Sequence, residues 1–141
     1  MIEINNFTDF AVDKKIFSAV AKKVLSGENR KTETLSLALV DKEEIKKLNK
    51  KFRKKNKPTD VLSFNLGGSF GSVHDGKYLG EIVICPEVVK ENATSYGVPE
   101  KEEMLKAFVH GILHLCGYIH EKSKKDAEIM ERQEREYLSK I

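Results

Sequence analysis

The sequence lacks the features that mark membrane, secreted and repetitive proteins. No apolar run approaches the roughly 20 residues that a membrane-spanning helix needs, and the first residues do not resemble a signal peptide. There are only two cysteines, Cys85 and Cys116, too few for a disulfide framework. No internal repeat and no candidate linker divides the chain. We therefore expect residues 1–141 to form a single domain in a reducing, cytoplasmic compartment, with no membrane partner.

Charge is plentiful but nearly balanced, with 25 basic and 22 acidic residues. Its distribution is less even, because residues 46–57 contain eight basic residues and no acidic one. These are Lys46, Lys47, Lys50, Lys51, Arg53, Lys54, Lys55 and Lys57. Most of the lysines fit a solvated helix face, whereas a phosphate-binding patch is the alternative. Arg53 is the only arginine of the cluster, and its planar fork suits bidentate phosphate contact.

Hydrophobic periodicity predicts an α+β fold, with a small mixed four-stranded sheet and about five helices. The predicted strands are residues 2–4, 34–40, 61–64 and 78–85, and the predicted helices begin at Thr8 or Asp9, Asp41, Pro86, Pro99 and Lys124. The fourth strand is almost entirely apolar, so we expect it near the centre of the sheet. A helix joins the second and third strands, which favours a parallel pair. On that helix we expect Ile45, Leu48 and Phe52 to face inward.

The stretch from His110 to His120 holds three of the four histidines. His110 and His114 are four residues apart, so on a helix they lie one turn apart on the same face. Gly117 can adopt the left-handed conformation that ends a helix, and the turn would bring His120 round as a third ligand. Three imidazoles bind zinc and leave a fourth position for water or substrate. The sequence therefore predicts one catalytic Zn²⁺ held by His110, His114, His120 and water.

Other residues narrow the chemistry of this stretch. Cys116 lies two residues after His114, so it points to the other side of the helix and is expected to fill the core. Metzincin proteases share the histidine spacing but carry a glutamate directly after the first histidine, as general base. Gly111 occupies that position here, which makes peptide hydrolysis a minor hypothesis. His74 is interpreted as an exposed loop residue in a glycine-rich stretch, with a substrate contact as the alternative.

Three blocks of the sequence resemble the YbeY family of bacterial endoribonucleases. Residues 110–120 are similar to its stretch His-Gly-x-Leu-His-Leu-x-Gly-Tyr-Asp-His. Residues 52–64 resemble its block Tyr-Arg…Lys-Pro-Thr-Asp-Val-Leu-Ser-Phe, and residues 79–84 resemble its strand Leu-Gly-Asp-Ile-x-Ile. One departure is Ile119, which stands where the family usually has aspartate. The departure bears on ligand orientation or proton transfer more than on metal binding.

The resemblance implies a zincin-like fold and a single catalytic domain. It also implies a zinc-dependent, single-strand-specific endoribonuclease that acts in ribosomal RNA maturation, notably at the 3′ end of 16S rRNA, and in ribosome quality control. The residues that match the family assign His110, His114 and His120 to the metal, Arg53 and His114 to catalysis, and Arg53 and Lys57 to substrate binding. The expected partners are single-stranded or ribosomal RNA and the ribosome or its associated proteins.

Several alternatives stay open at this level. Water activated by zinc could attack the phosphorus, or the RNA 2′-hydroxyl could attack while zinc stabilises charge on the phosphate. The protein could instead be a ribosome-assembly binding factor with a mainly structural zinc. Another metal-dependent hydrolase, acting on small phosphate or amide substrates, is a further possibility. Nickel or another first-row ion can also occupy three imidazoles.

Overall fold

The computed structural model describes residues 2–65, 78–118 and 123–141. Their elements are β1 (Ile2–Asn6), α1 (Lys14–Gly27), β2 (Thr34–Leu39), α2 (Lys42–Arg53), β3 (Val61–Phe64), β4 (Tyr78–Ile84), α3 (Pro86–Tyr96), α4 (Glu100–Leu115) and α5 (Lys124–Ser139). The predicted α+β class, with four strands and five helices in these ranges, is confirmed. None of these helices is long and apolar enough to cross a bilayer. His74, Ile119 and His120, on which three expectations rest, lie outside the described residues.

The four strands form one sheet in the order β1-β2-β4-β3. β1, β2 and β4 are mutually parallel, whereas β3 runs antiparallel to β4. β4 therefore has a neighbour on each side, as its apolar sequence predicted. Ile82 and Ile84 of this strand are completely buried. The helices therefore pack against the central strand, β4.

The prediction that β2 and β3 are parallel is wrong, because the chain reverses after α2. Lys54 ends this helix in the left-handed conformation, with φ of 59°. The Asn49 side chain then donates to the Lys57 carbonyl at 2.8 Å, which holds the following segment against the helix. The chain consequently re-enters the sheet at the end where β4 finishes, and Cys85 N donates to the Asp60 carbonyl at 2.9 Å. β3 starts there and runs opposite to β2.

Helix α2 begins where its capping signal predicted. The Asp41 carboxylate accepts a hydrogen bond from Glu44 N at 2.9 Å, and Ile45 is completely buried. The expectation that Phe52 faces inward is wrong, since its side chain is 54% exposed. Its ring instead packs edge-on against Phe64 of β3, with centroids 5.1 Å apart. The last turn of α2 thus stands over the edge strand and not over the core.

Helix α1 starts later than the sequence predicted. Thr8 does not cap a helix, because its N–H and hydroxyl both donate to the Asn6 side chain at 2.9 and 2.6 Å. That local turn closes the end of β1. Asp13 is the actual cap, and its carboxylate accepts from the N–H groups at the start of α1. Asp9, the other predicted cap, lies before this start.

Helix α4 is pressed against β4 at Gly111. A β-carbon on this glycine would lie 2.9 Å from Cγ2 of Ile82. Phe108 and Ile112, which flank the contact, are completely buried, and the Ser63 hydroxyl donates to the Gly111 carbonyl at 3.1 Å. The position that holds the general base of metzincins is therefore a point of close helix–sheet packing in this protein.

We expect Gly111→Ala to lower the free energy of unfolding by up to about 2 kcal/mol. Overpacking a core costs about 1–3 kcal/mol, which exceeds the roughly 1 kcal/mol that alanine gains over glycine in a helix. Because the clash is with Ile82, the same substitution in an Ile82→Ala background should be neutral or stabilising. Urea unfolding of the four proteins measures both effects. An equal cost of Gly111→Ala in both backgrounds would show that the contact with Ile82 is not the cause.

Candidate metal and substrate site

The half-buried imidazoles of His110 and His114 on α4 face each other. Their Nε2 atoms lie 3.1 Å apart, with the rings nearly perpendicular at 80°. Two nitrogens that each bind one tetrahedral zinc ion at 2.0–2.1 Å are separated by about 3.3 Å. The two rings therefore lie on one face of the helix, as the four-residue spacing predicted, at a separation compatible with one shared ion.

The orientation of His114 is set by the turn that ends α4. Gly117 adopts φ of 103°, and the N–H groups of Gly117 and Tyr118 bond the carbonyls of His114 and Leu113, each at 3.0 Å. This is a Schellman ending, so the left-handed glycine is confirmed. The Tyr118 carbonyl lies 3.0 Å from Nδ1 of His114. Because a carbonyl only accepts, Nδ1 carries the proton and Nε2 presents its lone pair.

The orientation of His110 is set by Glu134 on α5. The Glu134 carboxylate lies 3.2 Å from Nδ1 of His110, and Glu134 is only 6% exposed. A carboxylate that accepts from one imidazole nitrogen while the other binds metal is a common outer-shell arrangement. Sequence reasoning missed Glu134. The available signal was its position between Met130 and Tyr137 on the buried face of α5, where an acid is unusual.

Both imidazoles are thus held through Nδ1, and Nε2 of His110 points towards Nε2 of His114. Two lone pairs facing across 3.1 Å are stabilised by a cation or a proton between them. In the ranges 2–65, 78–118 and 123–141, no group of three or more His, Cys, Asp or Glu residues is placed to hold an ion. The third predicted ligand, His120, falls outside those ranges, so the three-histidine ligand set stays a prediction.

Cys116 fits the expectation that it fills the core. Its side chain packs against the main hydrophobic cluster, and burial raises the pKa of its thiol to about 11. Metals bind the thiolate form of cysteine. The thiol is therefore protonated at neutral pH, which disfavours Cys116 as a fourth, structural zinc ligand.

An open cleft of about 700 Å³ brings the predicted site residues together. Arg53 and Lys57 line it from the end of α2 and the turn that follows, and His110 and His114 line it from α4. Of the eight basic residues in the cluster 46–57, only Arg53, Lys55 and Lys57 border the cleft. The Arg53 side chain is exposed, and its Nη2 atom lies 3.5 Å from the Ser63 carbonyl. The arrangement places cations and the histidine pair in one cleft.

The cleft also contains residues that the sequence did not single out for function. Glu103, in the first turn of α4, is 7% exposed and lines the cleft. Tyr96 lies at the end of α3 on the same cleft, with 65% of its surface exposed. Neither residue stands in a recognisable motif, so only the fold shows that they belong to this surface.

Comparisons with known proteins extend over nearly the whole chain. A family model described as endoribonuclease YbeY matches residues 3–141. A Sulfurihydrogenibium protein named endoribonuclease YbeY is 40% identical over 119 residues, which are 84% of this chain and 77% of that protein. A Sulfurovum protein of the same name is 37% identical over 143 residues, covering 100% of this chain and 90% of its own. The solution structure of a Thermotoga maritima protein aligns with a TM-score of 0.69 and 31% identity, covering 98% of this chain and 87% of that one.

We expect Glu134→Ala to weaken zinc binding about 10–100-fold, the usual effect of losing an outer-shell partner. Without the carboxylate, the His110 ring is no longer held in the orientation that directs Nε2 at His114. Glu134→Gln keeps one acceptor oxygen, so its zinc affinity should fall less than that of Glu134→Ala. Competition with a chromophoric chelator measures the affinity, and circular dichroism checks the fold.

Glu128→Ala is the matched control, because Glu128 is an exposed acid on the same helix. Its zinc affinity should equal that of the unsubstituted protein. If Glu134→Ala also binds zinc normally, Glu134 does not orient a metal ligand.

Proposed function

The chain belongs to the endoribonuclease YbeY family, and on this premise we propose that it is a zinc-dependent endoribonuclease specific for single strands. The observation that supports this most is the pair of oriented imidazoles sharing one cleft with Arg53. His110 and His114 would hold the ion together with His120. When bound, zinc supplies a Lewis acid beside the phosphate or lowers the pKa of a water molecule.

Arg53 and Lys57 act on the phosphate in this proposal. The guanidinium of Arg53 can contact two phosphate oxygens at once and balance the charge that develops during cleavage. Lys57 and Lys55 are point charges in the same cleft, suited to following the backbone of the strand. His114 acts in catalysis as a metal ligand. These roles use charge and orientation, and none of them reads a base.

The preference for single strands has a physical basis in the shape of the site. Unpaired nucleotides can enter a cleft that a duplex cannot follow, and their bases can stack on exposed aromatic rings. Tyr96 presents such a ring at the wall of the cleft. We further propose ribosomal RNA, at the 3′ end of 16S rRNA, as the substrate in a cytoplasmic setting with the ribosome as partner. The similarity of the three sequence blocks supports this finer assignment.

Cleavage of a labelled single-stranded RNA by the purified protein tests the proposal. We expect the unsubstituted protein to cleave, and we expect His114→Ala and a chelated sample not to cleave while both remain folded by circular dichroism. Loss of the metal site removes the Lewis acid or activated water that the proposed reaction requires. Analysis of the product ends separates the two routes, since a 2′,3′-cyclic phosphate indicates attack by the 2′-hydroxyl.

Other outcomes would contradict the proposal. Equal cleavage by the unsubstituted, His114→Ala and chelated samples would indicate a contaminating nuclease. Suppose that the protein binds RNA without cutting it and that chelation unfolds it. These two results together would favour a binding factor with a structural metal. Cleavage of small phosphate esters but not of RNA would favour a different metal-dependent hydrolase.

We expect Arg53→Ala to lower kcat/KM for RNA cleavage about 100-fold, because removing one preorganised donor to a developing charge costs about this much. Arg53→Lys should recover only part of the rate, since an ammonium cannot form the bidentate contact. Steady-state kinetics at fixed ionic strength measure both variants.

Lys50→Ala is the matched control for this prediction. Lys50 is an exposed residue of the same basic cluster, but it does not border the cleft. Its substitution by alanine removes one positive charge, as Arg53→Ala does. Its kcat/KM should stay close to that of the unsubstituted protein. Equal losses in Lys50→Ala and Arg53→Ala would assign the effect to general attraction of RNA to a basic surface.

A further inference from the structure

Three hydrogen-bond donors converge on one carboxylate oxygen of Glu28, the residue that follows α1. Oε2 of Glu28 accepts from the hydroxyl of Tyr137 at 2.5 Å, from the hydroxyl of Tyr118 at 3.3 Å and from the side-chain amide of Gln133 at 3.4 Å. A carboxylate acceptor makes each of these bonds stronger than one between neutral groups. The three donors come from the turn after α4 and from α5, so Glu28 ties both segments to the end of α1.

Each of these donors belongs to the same residue, or to the same helix, as a group that orients a histidine. Tyr118 is the residue whose carbonyl holds Nδ1 of His114 at 3.0 Å. Gln133 and Tyr137 belong to α5, where they lie one residue before and three residues after Glu134, the partner of His110. Glu28 therefore fixes the supports of both imidazoles and touches neither imidazole itself.

The end of α1 is itself held firmly enough to serve as this anchor. Glu28 ends the helix, and its N–H donates to the Val24 carbonyl at 3.0 Å. Gly27, just before it, leaves room for the Tyr137 ring, since a β-carbon there would lie 2.4 Å from the Tyr137 hydroxyl oxygen. α1 is also packed on α4 through Phe17 and Phe108, whose ring centroids are 5.0 Å apart. The carboxylate is thus fixed relative to the helix that carries the histidines.

We propose that Glu28 is a positioning residue of the metal site, which holds the Tyr118 turn and helix α5 so that His110 and His114 converge on one ion. The inference rests on the proposed function, because it requires these two histidines to bind metal. It differs from a general stabilising role in one respect: loss of Glu28 weakens metal binding by a protein that remains folded.

Zinc affinity of the full chain, measured by competition with a chromophoric chelator, tests the inference. We expect Glu28→Ala to bind zinc about tenfold more weakly, toward the lower end of the range for outer-shell partners because it acts through other residues. Glu28→Ala and Glu134→Ala should also be non-additive, since both act on the orientation of His110. The ¹⁵N imidazole signals of the metal-free protein should show a weakened Nδ1–H hydrogen bond at His114.

Glu33→Ala is the matched control. Glu33 is a half-buried carboxylate near the same end of α1, and its partner is Arg30 at 3.0 Å, not the Tyr118 turn or α5. Its zinc affinity should be unchanged. Tyr118→Phe provides a milder variant in case Glu28→Ala does not fold, because it removes one bond to Glu28 and keeps the carbonyl that holds His114; it should weaken zinc binding about threefold, a fraction of the outer-shell effect.

The outcomes separate this inference from the proposed function. Normal zinc affinity in both Glu28→Ala and Tyr118→Phe would overturn the role of Glu28 and leave the metal site intact. Equal losses in Glu28→Ala and Glu33→Ala would overturn it as well, because any lost carboxylate would then have the same effect. If the unsubstituted chain binds no zinc, both the metal site and the role of Glu28 fail together.

Discussion

The close approach of α4 to β4 at Gly111 is the contact on which the site depends. A helix carrying any larger residue there would be held away from Ile82, since even a β-carbon would come within 2.9 Å of it. His110 is the neighbour of this glycine in the chain, and His114 follows one turn later. The Gly111 carbonyl also accepts from Ser63 of β3, the strand beside the Arg53 side chain. This contact therefore fixes the position of His110 and His114 relative to Arg53 in the cleft.

The histidine pair is prepared by two acceptors of different kinds. A backbone carbonyl holds His114 and a buried carboxylate holds His110, both through Nδ1. The first comes from the turn that ends the same helix, and the second from Glu134 on α5, 24 residues after His110 in the chain. Ordering both rings in advance reduces the conformational entropy that metal binding would otherwise cost. Convergence of the rings is thus a property of the fold as well as of the local spacing.

Most features that depend on neighbouring residues were predictable from the sequence, apart from the start of α1 at Asp13, and features that depend on long-range packing were not. β3, α3 and the cap of α2 at Asp41 follow local signals, and the YbeY resemblance is confirmed by matches along nearly the whole chain. The parallel arrangement of β2 and β3 was wrong, because a side-chain bond from Asn49 and a left-handed Lys54 reverse the chain. Glu134 was missed for a similar reason, since its partner lies on another helix.

Gly111 also explains why a histidine spacing shared with metzincin proteases does not imply protease chemistry here. The metzincin glutamate would occupy a position whose β-carbon is directed at Ile82, inside the core. A carboxylate there would be desolvated and could not serve a substrate in the cleft. The cleft brings three cations, Arg53, Lys55 and Lys57, together with two oriented imidazoles. Such a site suits a polyanion whose charge must be balanced, and the same fold can carry either chemistry depending on these few positions.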